Sequence, residues 1–534
     1  VRRYGTSPPQ RSVSRLGGST NSHYISAYNK DIVALERAVL ERVFYVKGDD
    51  GTFQPPPKPV RGLVEARLSF ERSLICSSLK YASPMEILDF PGLYQGSQNV
   101  RYTRAAKELL DLGLQRKHCG IQIFNKFEKV DFTAKPDAVP RVISPRSPVY
   151  NVALGRFIKP IESQYYQALD QMFGQKTVFK GMDANQMGDY MAQKWSGFVD
   201  PVAVGLDASR FDQHVSVDML KFEHSILEAP FVERDRADLH KILKHQLFTR
   251  ARGFCKNGRL SFTTKGGRCS GDMNTGLGNC ILMCCMVHSY LRHCSVDAQL
   301  ANNGDDCVVI MERPDLERFT RGLDTWFREL GFNMKVEAPV YDLEKIEFCQ
   351  QHPVRIGDGY RMVRNVFSVL EKDTVSLDQF HSIRHCKKWM QAVGDGGLAL
   401  CSGVPVLQEF YSMFRRSATA MVVRAQRQNS KRRHADVRQT KLFPTHILEK
   451  SQGMAVVHSE ICPEARLSFW LAFGLSPDEQ VAFEKELSMQ MLTFSTVPVE
   501  RLHTFVDLGK YILPPSDWLS RTTRAVHSTE KSLN

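Results

Sequence analysis

Between Asp31 and Val43 the apolar residues Ile32, Val33, Leu35, Val39, Leu40 and Val43 recur at helical spacing, which predicts a helix with one buried face. Residues 1 to about 23 are rich in Ser, Gly, Pro and Arg and carry neither helical nor strand period, so a mobile basic leader is predicted there. Pro55-Pro56-Pro57-Lys58-Pro59 reads as a stiff extended linker. From about 60 to 195 the elements are mixed. The short apolar run Val202 to Leu206 predicts a buried strand with Asp207 at its end, and Val215 to Leu227 follows with a helical pattern. Val296–Asn302 and Cys307–Met311 predict two further strands around Asn303-Gly304-Asp305-Asp306, where Gly and Asn/Asp suit a hairpin turn. Cys280 to Leu291 predicts a helix. Residues 200–365 are richest in strand-turn-helix alternation, and beyond about 370 the pattern is mainly helical. No repeat of solenoid period is present.

Composition narrows the classes. Of 534 residues, 42% are hydrophobic and 24% charged, a globular balance rather than a disordered one. Lys and Arg exceed Asp and Glu by 13 charges, which favours a polyanionic partner. The longest apolar run, Cys280 to Val287, is far short of the roughly 20 residues that span a bilayer. Val1-Arg2-Arg3-Tyr4-Gly5 has charge but no apolar stretch behind it, unlike a signal peptide. Thirteen scattered cysteines without a paired C-x-x-C framework suit a reducing compartment. A soluble intracellular protein is expected. The start at Val1 fits a fragment, or a product read through or frameshifted from an upstream frame.

Three stretches carry chemistry. Asp207 and Asp212 flank the turn after the buried strand; a carboxylate there is costly unless a charge or metal compensates it, although a loop aspartate capping the next helix has the same pattern. Asp305 and Asp306 repel one another at a hairpin tip unless a cation intervenes. With Asp207 alongside, the three would make a hard oxygen site for Mg²⁺. Between them lies Gly266-Gly267-Arg268-Cys269-Ser270-Gly271-Asp272-Met273-Asn274-Thr275-Gly276-Leu277-Gly278-Asn279. Its glycines permit close backbone approach to a ligand, and Thr275 and Asn279, four apart, share one helix face. A capped helix with a Gly-rich entry loop is the plainer reading of that stretch taken alone.

The order D-x4-D, then S-G-x3-T-x3-N, then G-D-D resembles the RNA-dependent RNA polymerases of positive-strand RNA viruses, and more narrowly the tombusvirus-type replicases of plants. Lys126-Phe127-Glu128-Lys129, Pro140 to Arg146, Tyr150-Asn151, Gly155-Arg156, Gly205 to His214 and Glu347-Phe348-Cys349-Gln350 belong to the same likeness, which spans roughly residues 90–415. It implies an α/β (α+β) right hand of fingers, palm and thumb, the palm a small antiparallel sheet packed on helices and the thumb mainly helical. The implied boundaries are a basic leader and N-terminal helix at 1–55, fingers at 56–195, palm at 196–368 with a fingers insertion at about 230–265, and thumb and C-terminal region at 369–534.

The resemblance also implies roles. Asp207 and Asp305 become metal ligands for two Mg²⁺ or Mn²⁺ ions, with Asp306 auxiliary. Asp212, Ser270, Thr275 and Asn279 become the ribose and nucleotide-recognition set. Lys126, Lys129, Arg141 and Arg146 become the basic motif for triphosphate and template, for which a solvated basic face is the alternative. Lys335 becomes the proton donor to pyrophosphate, with Lys345 close in sequence as a rival. Phe348-Cys349-Gln350 and Arg361 to Val366 become a hairpin that grips the primer strand, or a plain structural one. Partners implied are template and nascent RNA, ribonucleoside triphosphates and an auxiliary viral replication protein, through which a cytoplasmic, membrane-associated location in the host cell would arise. A reverse transcriptase and a non-enzymatic RNA-binding replication scaffold are the rival readings. The Gly before Asp305 and the Asp212–Asn279 pair argue against the first; the second leaves three acids in a basic protein without a purpose.

Cys280, Cys284 and His288 recur every four residues, with Cys285, His293 and Cys294 near. Ligands on one face of one helix do not close a tetrahedron, so a buried stripe is expected there rather than zinc. The cationic run Arg415 to Lys441 (Arg415, Arg416, Arg424, Arg427, Lys431, Arg432, Arg433, Arg438, Lys441) reads as a solvated stretch, or as a phosphate-binding surface beside the exiting duplex.

Overall fold

The computed structural model describes residues 1–5, 12–17, 25–48, 50–131, 135, 137–378, 380, 382–421, 457–498 and 506–512. Its centre is a four-stranded antiparallel sheet in the order Ala298–Asn303, Asp306–Glu312, Pro201–Ala208, Met334–Val336. The Pro201–Ala208 strand is buried on both faces, which is why its sequence reads as a continuous apolar run rather than an alternating one. Val202, Val204 and Leu206 pack on one side against a large helical core that includes Leu282, Met286, Phe222 and Phe327. Ala203 joins Val308, Ile310, Ile346 and Phe348 on the other. Helices Val217–Glu228 and Thr275–Cys294 follow the predicted segments closely.

A second, five-stranded sheet runs in the order Arg2–Arg3, Gly258–Lys265, Phe248–Cys255, Ile121–Asn125, Val142–Ile143. Helices Leu63–Ser78, Gly96–Leu112, Pro148–Ile158 and Glu162–Phe173 join the large core. The predicted N-terminal helix is present as Ile32–Val39 and runs into a wider-wound turn, Leu40–Phe44. Residues after about 370 form a second core of helices Ile383–Cys401, Leu407–Ala420 and Pro463–Phe473 around Trp389, Phe410, Phe414 and Phe469.

The leader expectation needs correction. Arg2–Arg3 pairs with Arg259 and Gly258, and Ser12–Gly17 is a strand between Val375–Ser376 and Thr493–Pro498. Val13 and Leu16 are buried there. The segment has too few apolar residues to show a period, yet it inserts between two strands that supply its hydrogen bonds, so tertiary pairing overrides local composition. Among the described residues no helix is long and apolar enough to cross a membrane. In the cationic run, Arg415 pairs with Asp395 and Arg416 with Glu409; Arg424 to Lys441 lie outside the described residues.

Candidate active site

Register brings the acids together. Asp306, Asp207 and Lys335 occupy directly opposed positions on three neighbouring strands, and opposed residues in antiparallel pairs present their side chains on one face. Asp305 stands beside them at the tip of a two-residue turn between Asn303 and Asp306. Gly304 there has φ +96°, a left-handed conformation that glycine alone adopts without strain. Asp207, Asp305 and Lys335 are exposed, whereas Asp306 is half-buried and its carboxylate accepts the Cys349 amide at 2.9 Å. Asn303 donates to the Cys349 sulfur at 3.1 Å, and the Lys180 ammonium donates to the Asn303 carbonyl at 3.3 Å. The hairpin tip is thus held from both sides, and its exposed carboxylate is that of Asp305.

Negative charge is crowded here. Burial raises the Asp306 carboxyl above the ordinary range, and the nearby charges of Asp305 and Glu347 add to it. Glu337, lying across Gly205, is raised by burial and then by Glu347, Asp207 and Asp306. Among the described residues no three His, Cys, Asp or Glu side chains converge closely enough to form a finished metal cage. The donors are nonetheless hard carboxylate oxygens at one end of the sheet, the chemistry that Mg²⁺ or Mn²⁺ prefers. Lys345 lies elsewhere, lining a cavity of about 240 Å³ with Glu337, Glu347 and Ile346, while Lys335 sits opposite Asp207.

The second half of the site is the Asp212–Asn279 pair. The Asn279 amide donates to Asp212 at 3.1 Å and accepts from Arg268 Nε at 3.0 Å. Asp212 is pushed up to about 6, chiefly by burial; the Asn279 hydrogen bond and Arg268 charge pull it down, and Asp305 pushes it up. Ser270 is exposed and its hydroxyl accepts the Ser144 amide at 3.1 Å. Thr275 is turned to its own loop, donating to the Cys269 carbonyl at 2.7 Å.

The chain matches the family described as viral RNA dependent RNA polymerase over residues 1–494. It belongs to that family. It is 41% identical over 498 residues to the RNA-directed RNA polymerase of Oat chlorotic stunt virus, covering 92% of this chain and 66% of the relative. With that of Tobacco necrosis virus (strain A) it shares 40% over 484 residues, 90% of this chain and 64% of the relative. With that of Cymbidium ringspot virus it shares 39% over 486 residues, 90% and 57% respectively. The chain therefore spans about two thirds or less of these relatives' length, and the tombusvirus-type likeness extends well beyond the 90–415 read from motifs.

In this chain the basic set divides. Lys126 and Arg141 are at the surface, both paired with Glu128 at 3.0 and 3.3 Å. Lys129 is turned inward, donating to the Lys372 carbonyl, and burial lowers its pKa. Arg146 departs from the expectation altogether. Its side chain is 0% exposed, bonded to Asp272, the Cys119 carbonyl and Thr249. No face of the guanidinium is left for a phosphate. Burial opposes its charge, but Asp272 outweighs that and holds it protonated. Its place is structural: the Pro140–Arg146 segment docks on the Ser270–Asp272 loop, where Gly271 donates to the Ser144 carbonyl and a Cβ on Gly271 would meet Pro145 Cα. The Phe348–Gln350 segment does lead into a hairpin, Gln351–Ile356 with Gly359–Arg364.

The cysteine stripe is core. Cys280, Cys284 and Cys285 are fully buried, and burial pushes the Cys280 thiol up to about 12. His288 instead meets Glu71 at 2.9 Å. Sequence reasoning missed Arg268, which bonds Asn279, and the Glu223 and Asn274 side chains behind it. The signal was a buried-helix Glu between Phe222 and His224, a polar residue where the pattern called for an apolar one.

Proposed function

We propose that this chain copies RNA into RNA from ribonucleoside triphosphates by nucleotidyl transfer. The observation that carries the reading is the row Asp306–Asp207–Lys335, with Asp305 at its end and the Asp212–Asn279 pair close enough to feel its charge. Asp207 and Asp305 would hold two Mg²⁺ or Mn²⁺ ions, with Asp306, already engaged by Cys349, as the auxiliary acid. Bound there, the ions would activate a 3′-hydroxyl and stabilise the leaving pyrophosphate. Lys335, exposed and opposite Asp207, would give a proton to the pyrophosphate. Asp212 and Asn279 read the sugar, whose 2′-hydroxyl donates and accepts; Ser270, exposed at the loop beside them, and Thr275 complete the set. Lys126, half-buried, and Arg141, exposed, flank the Ile121–Asn125 and Val142–Ile143 strands and take triphosphate or template phosphates.

In this reading the four-stranded layer is the palm (196–368), residues 56–195 with the insertion at about 230–265 are fingers, and 369–534 is the thumb and C-terminal region. Template and nascent strand are the macromolecular partners. An auxiliary viral replication protein would bring the chain to membrane-associated complexes in the host cytoplasm. Incorporation of labelled ribonucleotides on an RNA template by the purified chain, with Mg²⁺ and with chelator, tests the activity: synthesis only with metal is expected, and none under either condition would refute it.

A further inference from the structure

Asn279 has an amide that could face either way, and at Asp212 only its NH₂ end serves. What fixes the orientation is Arg268, whose guanidinium has donors and no acceptor. Its Nε–H, 3.0 Å from Asn279 Oδ1, commits the amide oxygen to that side and leaves the NH₂ for Asp212 at 3.1 Å. The Arg268 backbone amide also donates to the Asp212 carbonyl at 2.7 Å, so one residue holds both members of the pair.

Arg268 is itself locked. Its side chain is 1% exposed, and its two terminal nitrogens bond both carboxylate oxygens of Glu223, which is 0% exposed. Asn274 donates to Glu223 at 2.7 Å and accepts from Gln246 at 2.8 Å. The Thr275–Cys294 helix passes directly over this pair at Gly278, where a Cβ would strike Glu223 and lie 2.7 Å from Arg268. A buried ion pair adds little net stability as a rule but does fix geometry.

We propose that the Arg268–Glu223 pair is a positioning device for ribose selection, acting through Asn279; this rests on the reading of Asp212 and Asn279 as the sugar contacts. The test measures kcat/KM for matched ribo- and deoxyribonucleotides in wild type, Asn279→Ala, Arg268→Lys and the double variant, with thermal unfolding and RNA binding alongside. A lysine keeps the charge but lacks the fork that serves Glu223 and Asn279 together. Arg268→Lys is expected to lower the ribo-to-deoxyribo ratio about tenfold, through KM for the ribonucleotide. The double variant is expected to be no worse than Asn279→Ala, because residues acting as one unit are not additive. Additive losses, or an unchanged ratio in folded Arg268→Lys beside a lowered one in Asn279→Ala, overturn the positioning role alone. An unchanged ratio in Asn279→Ala overturns the sugar reading and the inference with it. If Arg268→Lys does not fold, Arg268→Met with Glu223→Gln, which leaves no lone charge in the core, carries the same comparison.

Discussion

Arg146 and Arg141 show how far apart two arginines of one basic motif can stand. Arg146 is sealed against Asp272, and removing one partner of such a pair strands the other charge. Arg146→Ala is therefore expected to cost about 3–5 kcal/mol in denaturant unfolding. Arg141→Ala leaves the fold intact and flattens the slope of log affinity against log salt by about 0.7 on single-stranded RNA. Filter binding across a salt series checks the second. His224 makes one contribution to the pH dependence. Burial pushes its pKa down to about 4, so the folded chain holds it neutral while the unfolded chain protonates it below about 6.5. The His224 contribution to stability should fall as pH drops from about 6.5 to about 4, by on the order of 3 kcal/mol, while raised carboxyls such as Asp212 act in the opposite direction. His224→Gln should flatten that part of the pH–stability curve.

At the scale of elements, the strands and helices around the acids were legible because each is apolar enough to show its own period. Pro201–Ala208, Ala298–Asn303 and Asp306–Glu312 lie within two residues or so of the sequence reading, and the Gly304 turn follows from its residue types. The register that sets Asp306 opposite Asp207 was not legible, since it depends on which strand comes alongside. Nor was Ser12–Gly17, whose partners lie hundreds of residues away. Burial hid the rest: a basic motif in sequence does not say which of its side chains turn inward. Gly188 tests the packing of elements directly. It lets helix Ala184–Ser196 lie on the Gln351–Arg364 hairpin, where a Cβ would sit 2.4 Å from the Tyr360 carbonyl oxygen. Backbone cannot give way as a side chain can, so Gly188→Ala is expected to destabilise by about 1–3 kcal/mol, read as a lowered Tm.

Over the whole molecule, the N-terminal segment enters two sheets, one through Arg2–Arg3 and one through Ser12–Gly17, and so ties the 248–265 hairpin to the strands at 375–376 and 493–498. The chain carries an excess of 13 positive charges together with a local concentration of acids, as expected of a protein that holds a polyanion near a site that needs metal. Binding and chemistry are then separable, and Asp305 is where they separate. Labelled ribonucleotide incorporation with Mg²⁺, run beside filter binding of the same RNA for wild type and Asp305→Asn, measures both. Asp305→Asn is expected to lower synthesis at least about a hundredfold with RNA affinity nearly unchanged; synthesis close to that of wild type would rule out Asp305 as a metal ligand.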